Sequence, residues 1–323
     1  MSTDQATIRT YATCANYLCL FDDAGLKTDL YVETTARIAR NRGIVIQSTG
    51  KVPLPTDKTN FVYKIKEELF RDFGKQIQGG LVLSCNNVLK TGGLGISATS
   101  AVAFVELVNR LYGLDLKHEQ KIYYASRGEP NNHLDNVLPC MLGGIVFSYR
   151  DEDEKPVKYE RFDAPSNLFS ALVIPQDIEK AGRTKGARDA IKELNHTDKE
   201  KQRISQLKKV AIEGVKNSNF QMLRLVASEL MLWERSHTYE RNKKGIYHIN
   251  ILAINRTLQR YYGDLVILTP SGAGTAMLIQ AAEPEILKHA AKDVADVYAR
   301  KSHKAIVSPV SIRGQSSIDD FVD

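Results

Sequence analysis

Apolar positions recur along this chain with helical spacing in two places. They fall at Val62, Ile65, Leu69 and Phe73, and again at Ala101, Phe104, Val105, Val108, Leu111 and Tyr112. Both sets follow the i, i+3, i+4, i+7 rule of a single buried face. The spacing predicts a helix from Asn60 onward and a second after Ile96, the latter closed by Gly113 where a left-handed residue commonly ends a helix. Short apolar runs bounded by turn residues predict strands over 8–11, 30–33, 43–47, 81–83 and 145–149, with a further β-like run over 166–175. Residues 116–126 read as a short helix. Beyond 166 helical patterns dominate, over 185–194, 198–216, 220–234 and 284–300, with strands at 265–269, 277–280 and 306–310. Two prolines make 51–57 a loop, and the charged stretch 151–155 approaches a boundary between domains spanning 1–165 and 166–323. Helices and strands mix in both halves without βαβα alternation, so the expected class is α+β.

The stretch 79–113 carries the first chemical suggestion. A short strand runs into a turn with Gly92, Gly93 and Gly95, and the long helix follows. Backbone N–H groups at a helix start lack partners and the helix dipole adds partial positive charge, so such a turn suits a phosphate. The two familiar phosphate loops are absent: there is no GxxxxGK[ST], and the glycine spacing is not GxGxxG with a following acid. An ordinary glycine turn ahead of a core helix explains the same residues.

Composition narrows the classes without choosing one. With 43% hydrophobic and 25% charged residues over 323 positions, the chain matches a globular protein with a sizeable core. No apolar run reaches the length of a membrane span and the first residues lack a signal pattern, so the expected setting is cytoplasmic, away from membranes. Cys14, Cys19, Cys85 and Cys140 show no CxxC pairing and read as thiols of a reducing compartment. The net charge of +6 is spread among acids and polar residues, which argues against a nucleic-acid face and fits a small anionic ligand.

Several segments then resemble one family in the order that family has them. ATCANYLCLFDDAG is similar to ATSANLGPGFDxLG, TGGLGISAT to PxxxGLGSSAA, HLDNVLPCMLGG to H-x-DNVAP-x-x-x-GG, TKGARDAI to T-x-x-AR-x-x-L, SELMLWER to D-x-V-x-EP-x-R, and PSGAGTA to a C-terminal SGAGPT motif. The chain resembles the GHMP small-molecule kinases, homoserine kinase most of all. The resemblance implies a ribosomal-S5-like N-terminal domain, a ferredoxin-like C-terminal domain, and a cleft that uses ATP and Mg²⁺ to phosphorylate a small hydroxy amino acid. Nucleotide contacts would come from Asn60, Lys90, Gly92, Gly93, Leu94, Gly95, Ser97, Ala98 and Thr99. Mg²⁺ would take Ser97 and a carboxylate, Glu129 or else Glu119. Arg188 and Arg235 would hold the acceptor carboxylate, with Asn16, Asp22, Asp135 and Asn136 around its ammonium and hydroxyl as the catalytic group. A homodimer is expected by analogy alone.

Departures keep other readings open. YLCL stands for LGPG, Leu89 for proline, Ile96 for the first serine of the nucleotide loop and Leu138 for alanine. A kinase for threonine, serine or a mevalonate-like alcohol, or a catalytically weak nucleotide-binding relative, fits these changes. Individual residues also have plainer roles. Asn16 and Asp22 could cap a turn, Asp135 and Asn136 a helix near Val137, and the two arginines could be surface ion-pair partners. His133 and His237 have no partner at metal-ligand spacing and read as structural, and Trp233 as core.

Overall fold

Two sheets, each with helices against it, organise the chain. The structure, a computed structural model, describes residues 4–41, 43–50, 53–87, 92–129, 132–149, 158–176, 197–231, 251–272, 275–314 and 321–322. The expected helix at 185–194, residues 232–234 and the charged stretch 151–155 lie outside them, as do Lys90, Arg188, Trp233, Arg235 and His237.

The first half contains β1 (Gln5–Ala15), β2 (Ala24–Ala39), β3 (Ile44–Ser48), α1 (Val62–Phe73), β4 (Gly80–Asn86) and α2 (Ile96–Tyr112). It continues with α3 (His118–Arg127), α4 (Val137–Leu142), β5 (Ile145–Tyr149) and β6 (Lys158–Phe162). β1, β2, β4 and β3 lie side by side, and β5 pairs both β2 and β6. Only β3 against β4 is parallel among these pairs. β2 is much longer than the expected 30–33 because, on the edge away from β1, it serves two strands in turn, β5 with residues 24–26 and β4 with residues 33–39. Its alternation is broken by buried Thr28 and Thr34, which hides the length in the sequence. The α1 and α2 apolar faces meet the strand residues Ile8, Ala36, Leu81 and Leu83 in one core that includes Ile65, Leu69, Phe104, Leu107 and Val108. Gly113 ends α2 at φ 59, the left-handed stop that the sequence predicts.

The second half contains β7 (Phe169–Pro175), α5 (Asp198–Lys216), α6 (Phe220–Leu230), α7 (Ile251–Tyr262), β8 (Val266–Pro270), β9 (Met277–Ala281), α8 (Pro284–Arg300) and β10 (Ala305–Val310). Its sheet is antiparallel in the order β10, β7, β9, β8. Strand–helix–strand–strand–helix–strand with that order is the ferredoxin-like split βαβ arrangement. α5 begins on a capping box in which Thr197 Oγ1 accepts from the Glu200 N–H and the Glu200 carboxylate accepts from the Thr197 N–H at 2.7 Å. β6 and α7 lie outside the expected elements. β6 is half exposed with no apolar run, whereas Ile251, Ile254 and Leu258 give α7 a readable apolar face.

The two halves interlock through a 3₁₀ turn, Tyr17–Cys19, that leaves the first sheet and enters the apolar core of the second. Tyr17, Leu18, Cys19 and Leu20 are no more than 1% exposed, packed with Leu172, Leu223, Leu268 and Leu278. Asn16, Leu18, Cys19 and Asp22 hold φ of 57, 54, 63 and 59°. Left-handed backbone costs a side-chain-bearing residue roughly 1–2 kcal/mol, and complete burial of a leucine gains roughly 1.5–3 kcal/mol, so burial can hold the turn in place. The chain end returns to the first half: Ile312 bridges Thr28, and β11 (Phe321–Val322) pairs with β1. A division at 166 therefore stands as our proposal for the two domains, with the final residues crossing it. The four cysteines are buried thiols rather than disulfides.

Candidate active site

The glycine turn lies where α2 starts, and its carbonyls are tied down by three neighbours. The Ala276 N–H donates to the Gly92 carbonyl at 2.9 Å, Ser271 Oγ to the Gly93 carbonyl at 2.5 Å, and the Thr13 N–H to the Leu94 carbonyl at 3.2 Å. The C-terminal glycine turn thus presses on the N-terminal one. Gly95 is the N-cap of α2 at φ 60, and a Cβ there would meet Thr13 Oγ1 at 2.1 Å and Asn136 Oδ1 at 2.7 Å. Only glycine allows that approach with that backbone. The first N–H groups of α2, at Ile96, Ser97 and Ala98, have no partner within a helix, which leaves an anion-binding end.

The sequence-expected nucleotide residues occupy this end in different ways. Leu94, Ala98 and Thr99 have buried side chains, and Thr99 Oγ1 donates to the Ile96 carbonyl at 2.8 Å, so these positions can offer main chain alone. Ser97 and Ser100 line a cavity of about 160 Å³ together with Ile96, Leu54, Pro55 and Asn60. Asn60 is tied into the wall, its amide donating to the Pro55 carbonyl at 2.7 Å and its Oδ1 accepting from the Val62 N–H at 3.1 Å. Glu129 is buried just past α3, and its neighbour Gly128 packs on Ala101, one helical turn after Ser97. Glu119 lies in the first turn of α3.

A second group of polar residues adjoins the same helix end. Thr13 Oγ1, held against Gly95, donates to Asn136 Oδ1 at 2.7 Å. Asn136 is the residue before α4, yet its side chain makes no capping bond to that helix. The plain capping role therefore fails for Asn136. Asn16 Oδ1 accepts from the Asp22 N–H at 2.9 Å, a bond across the turn that holds the left-handed Asp22. Asp22 Oδ1 lies 2.9 Å from His133 Nδ1, and one ligand atom each from Asp22, His133 and Asp135 falls within 4.8 Å of the others. His133, which its spacing set aside as structural, joins the expected site. The signal lay in its position two residues before Asp135. Such a cluster, mostly buried, can hold a cation, whether a metal ion or an ammonium group.

Behind these groups Cys14 faces Ser271, and burial pushes its thiol up to about 12. A neutral, apolar thiol suits a position under the two glycine turns and offers no nucleophile at neutral pH.

The GHMP kinases N terminal domain model matches residues 60–144, the segment from α1 through the glycine turn to the end of α4. The solved homoserine kinase from Cytophaga hutchinsonii superposes over 98% of this chain and 97% of its own, with a TM-score of 0.77 at 20% identity. The chain carries the GHMP kinase fold. Among curated relatives, homoserine kinase from Caldicellulosiruptor bescii is 31% identical over 52% of this chain and 54% of its own. The chain thus aligns with about half the length of that relative. Homoserine kinase from Halalkalibacterium halodurans is 29% identical over 80% of this chain and 78% of its own. Within the GHMP fold, the turn at 92–95, the α2 start and the Asp135–Asn136 pair all belong to the matched segment.

Proposed function

We propose that this protein is an ATP-dependent kinase that phosphorylates the side-chain hydroxyl of homoserine. The observation that carries the reading is the Thr13–Asn136 hydrogen bond lodged against Gly95, because it joins an anion-binding helix end to a cation-binding polar cluster. Phosphoryl transfer requires that juxtaposition: a cradle for the phosphates and, beside it, a grip on an acceptor. The cavity along Asn60, Ile96 and Ser97 suits the base and sugar end of the nucleotide, with the phosphates along the N–H groups of residues 95–98. Asp22, Asp135 and His133 face the acceptor's ammonium, and Asn136 orients its hydroxyl. The hydroxyl oxygen forms the new bond to the γ-phosphorus as the bond to the ADP oxygen breaks, and the hydroxyl proton leaves to solvent. Arg188 and Arg235, outside the described residues, are assigned to the acceptor carboxylate.

The residues near α2 also suit Mg²⁺, which prefers hard oxygen ligands and retains several waters. Ser97 on α2 and Glu129, beside the residue that packs one turn further along that helix, would hold it. When bound, the ion neutralises charge on the β- and γ-phosphate oxygens. The substituted YLCL turn supports homoserine over another alcohol in one respect: its side chains are swallowed by the second core, so the change from LGPG does not fill the acceptor cluster with bulk.

The test is ADP release from Mg-ATP with homoserine, threonine, serine or mevalonate, the product identified by phosphorus NMR. Turnover greatest with homoserine is expected. Turnover with another of the four would move the substrate, and ATP binding without any acceptor-dependent turnover would sink the kinase reading.

A further inference from the structure

We infer that Lys208, on the helix α5, is a positioning residue that sets the Asp22 carboxylate from the other half of the molecule. The inference rests on the kinase reading for its functional consequence and on geometry for its mechanism. Lys208 is nearly buried, a costly place for an ammonium unless partners surround it. Three do. Its Nζ lies 3.2 Å from Asp23 Oδ2, donates to the Ser148 carbonyl, and stands 4.2 Å from the centre of the Tyr149 ring. Ser148 in turn binds the same turn from the strand side, its N–H donating to the Asp23 carbonyl at 2.8 Å and its hydroxyl to that carbonyl at 3.4 Å. Tyr149 is itself anchored, its hydroxyl donating to Glu160, which Lys216 approaches at 3.7 Å.

Asp23 is thus gripped by a strand of the first half and a helix of the second, while Asp22, one residue earlier, projects toward His133. Asp22 sits at φ 59, a conformation a free chain would abandon for an extended one. Its carboxylate meets His133 at 2.9 Å, and its backbone is held separately. The Asn16 bond fixes its N–H, and the Lys208 grip fixes the peptide that follows. Loss of the ammonium would remove the ion pair that ties Asp23 to α5 and let the turn relax, moving the Asp22 carboxylate off the acceptor's cation. Misplacement on the scale of 1 Å can cost on the order of 100-fold in rate, so a KM effect of about tenfold or more is the expected reading.

Lys208→Met removes the charge and keeps the stem, Lys208→Arg keeps the charge, and Asp23→Asn removes the partner. In Lys208→Met the acceptor KM is expected to rise about tenfold while the ATP KM stays within about twofold, with substantial recovery in Lys208→Arg. The double variant with Asp23→Asn should cost less than the sum of the two single changes. A parallel measurement needs no turnover: amide hydrogen exchange of the peptide covering residues 18–27 should accelerate in Lys208→Met at temperatures where both proteins are folded. Unchanged exchange would overturn the inference whatever the substrate. Faster exchange with acceptor and ATP KM rising together would overturn the positioning role and leave a structural one. If Lys208→Met does not fold, Asp23→Asn carries both measurements. A wild-type protein with no acceptor-dependent ADP release would overturn the kinase reading instead, and the exchange comparison would still decide the grip on the turn.

Discussion

At the scale of single residues, the site depends on contacts too close for larger side chains. Gly95 combines φ 60 with an approach to Thr13 and Asn136 that a methyl group cannot share. Gly95→Ala is expected to cost roughly 1–2 kcal/mol in backbone strain alone, before the steric contact is counted. It should lower the unfolding midpoint and weaken ATP binding together, as read by urea titration and by calorimetry with a non-hydrolysable ATP analogue. Wild-type affinity would separate the α2 start from the phosphate site. Ser97→Ala makes a narrower change in a partly exposed side chain lining the cavity. In that variant Mg-ATP kinetics should suffer and the acceptor KM should hold; kinetics equal to wild type would remove Ser97 from the metal assignment.

At the scale of elements, the turn 17–19 and the helix pair α5 and α6 show two kinds of fastening. Leu18 occupies a left-handed position inside the second core. Leu18→Gly relieves strain of roughly 1–2 kcal/mol but removes a fully buried side chain, and leucine truncations in cores cost about 2.7–5.0 kcal/mol. A net loss of about 1–4 kcal/mol in unfolding free energy is expected, and a more stable variant would mean that strain dominates there. Between α5 and α6, Arg203 forks onto Glu229 at 2.6 and 2.7 Å, and those bonds hold the Glu229 carboxyl below its usual range. A depressed carboxyl stabilises the folded state above its unfolded value and loses that contribution as pH falls through its folded value. Because both partners are partly exposed, solvent screens the pair and its contribution is small. The stability gap between wild type and Glu229→Gln, measured by urea unfolding, should be present near neutrality and close in acid; a gap that widens in acid would contradict the pairing.

Those elements also show what the sequence made legible. α1 and α2 announced themselves because their apolar residues face one core at helical spacing, and the glycine turn and DN pair stood out as motifs. The full length of β2 did not, since buried threonines interrupt its alternation and two different neighbours define its two halves. His133 was passed over because its partner Asp22 is more than a hundred positions away, and only the fold brings the two to 2.9 Å. Lys208 resembles any charged residue on a basic helix until its burial is known.

At the scale of the whole molecule, the two glycine turns form one joint. Gly92 faces Thr275, and a Cβ would meet Thr275 Oγ1 at 2.4 Å and its backbone nitrogen at 2.9 Å. Gly92→Ala must push the C-terminal turn away and stretch the bond from the Ala276 N–H to the Gly92 carbonyl. It is expected to lower both the thermal midpoint and ATP affinity, although Thr275 belongs to the far half of the chain. Unaltered affinity with a lowered midpoint would show that the joint supports the fold without shaping the phosphate site.

The turn that carries Asn16 and Asp22 has a consequence for how the protein is made. During synthesis residues 17–20 emerge early, but most of the apolar core that receives them comes from residues between about 168 and 310, joined to first-half residues such as Leu26, Ile145 and Phe147. Until those residues leave the ribosome, Tyr17, Leu18 and Leu20 lack most of the surface they pack on, and a nascent first half presents them in part to water or to a chaperone. The α1–α2 end, which the proposed function gives to the nucleotide, has helices and strands that share a local core and can take shape first. On the proposed function, the acceptor site is completed last, when residues of the second half join a turn translated near the start.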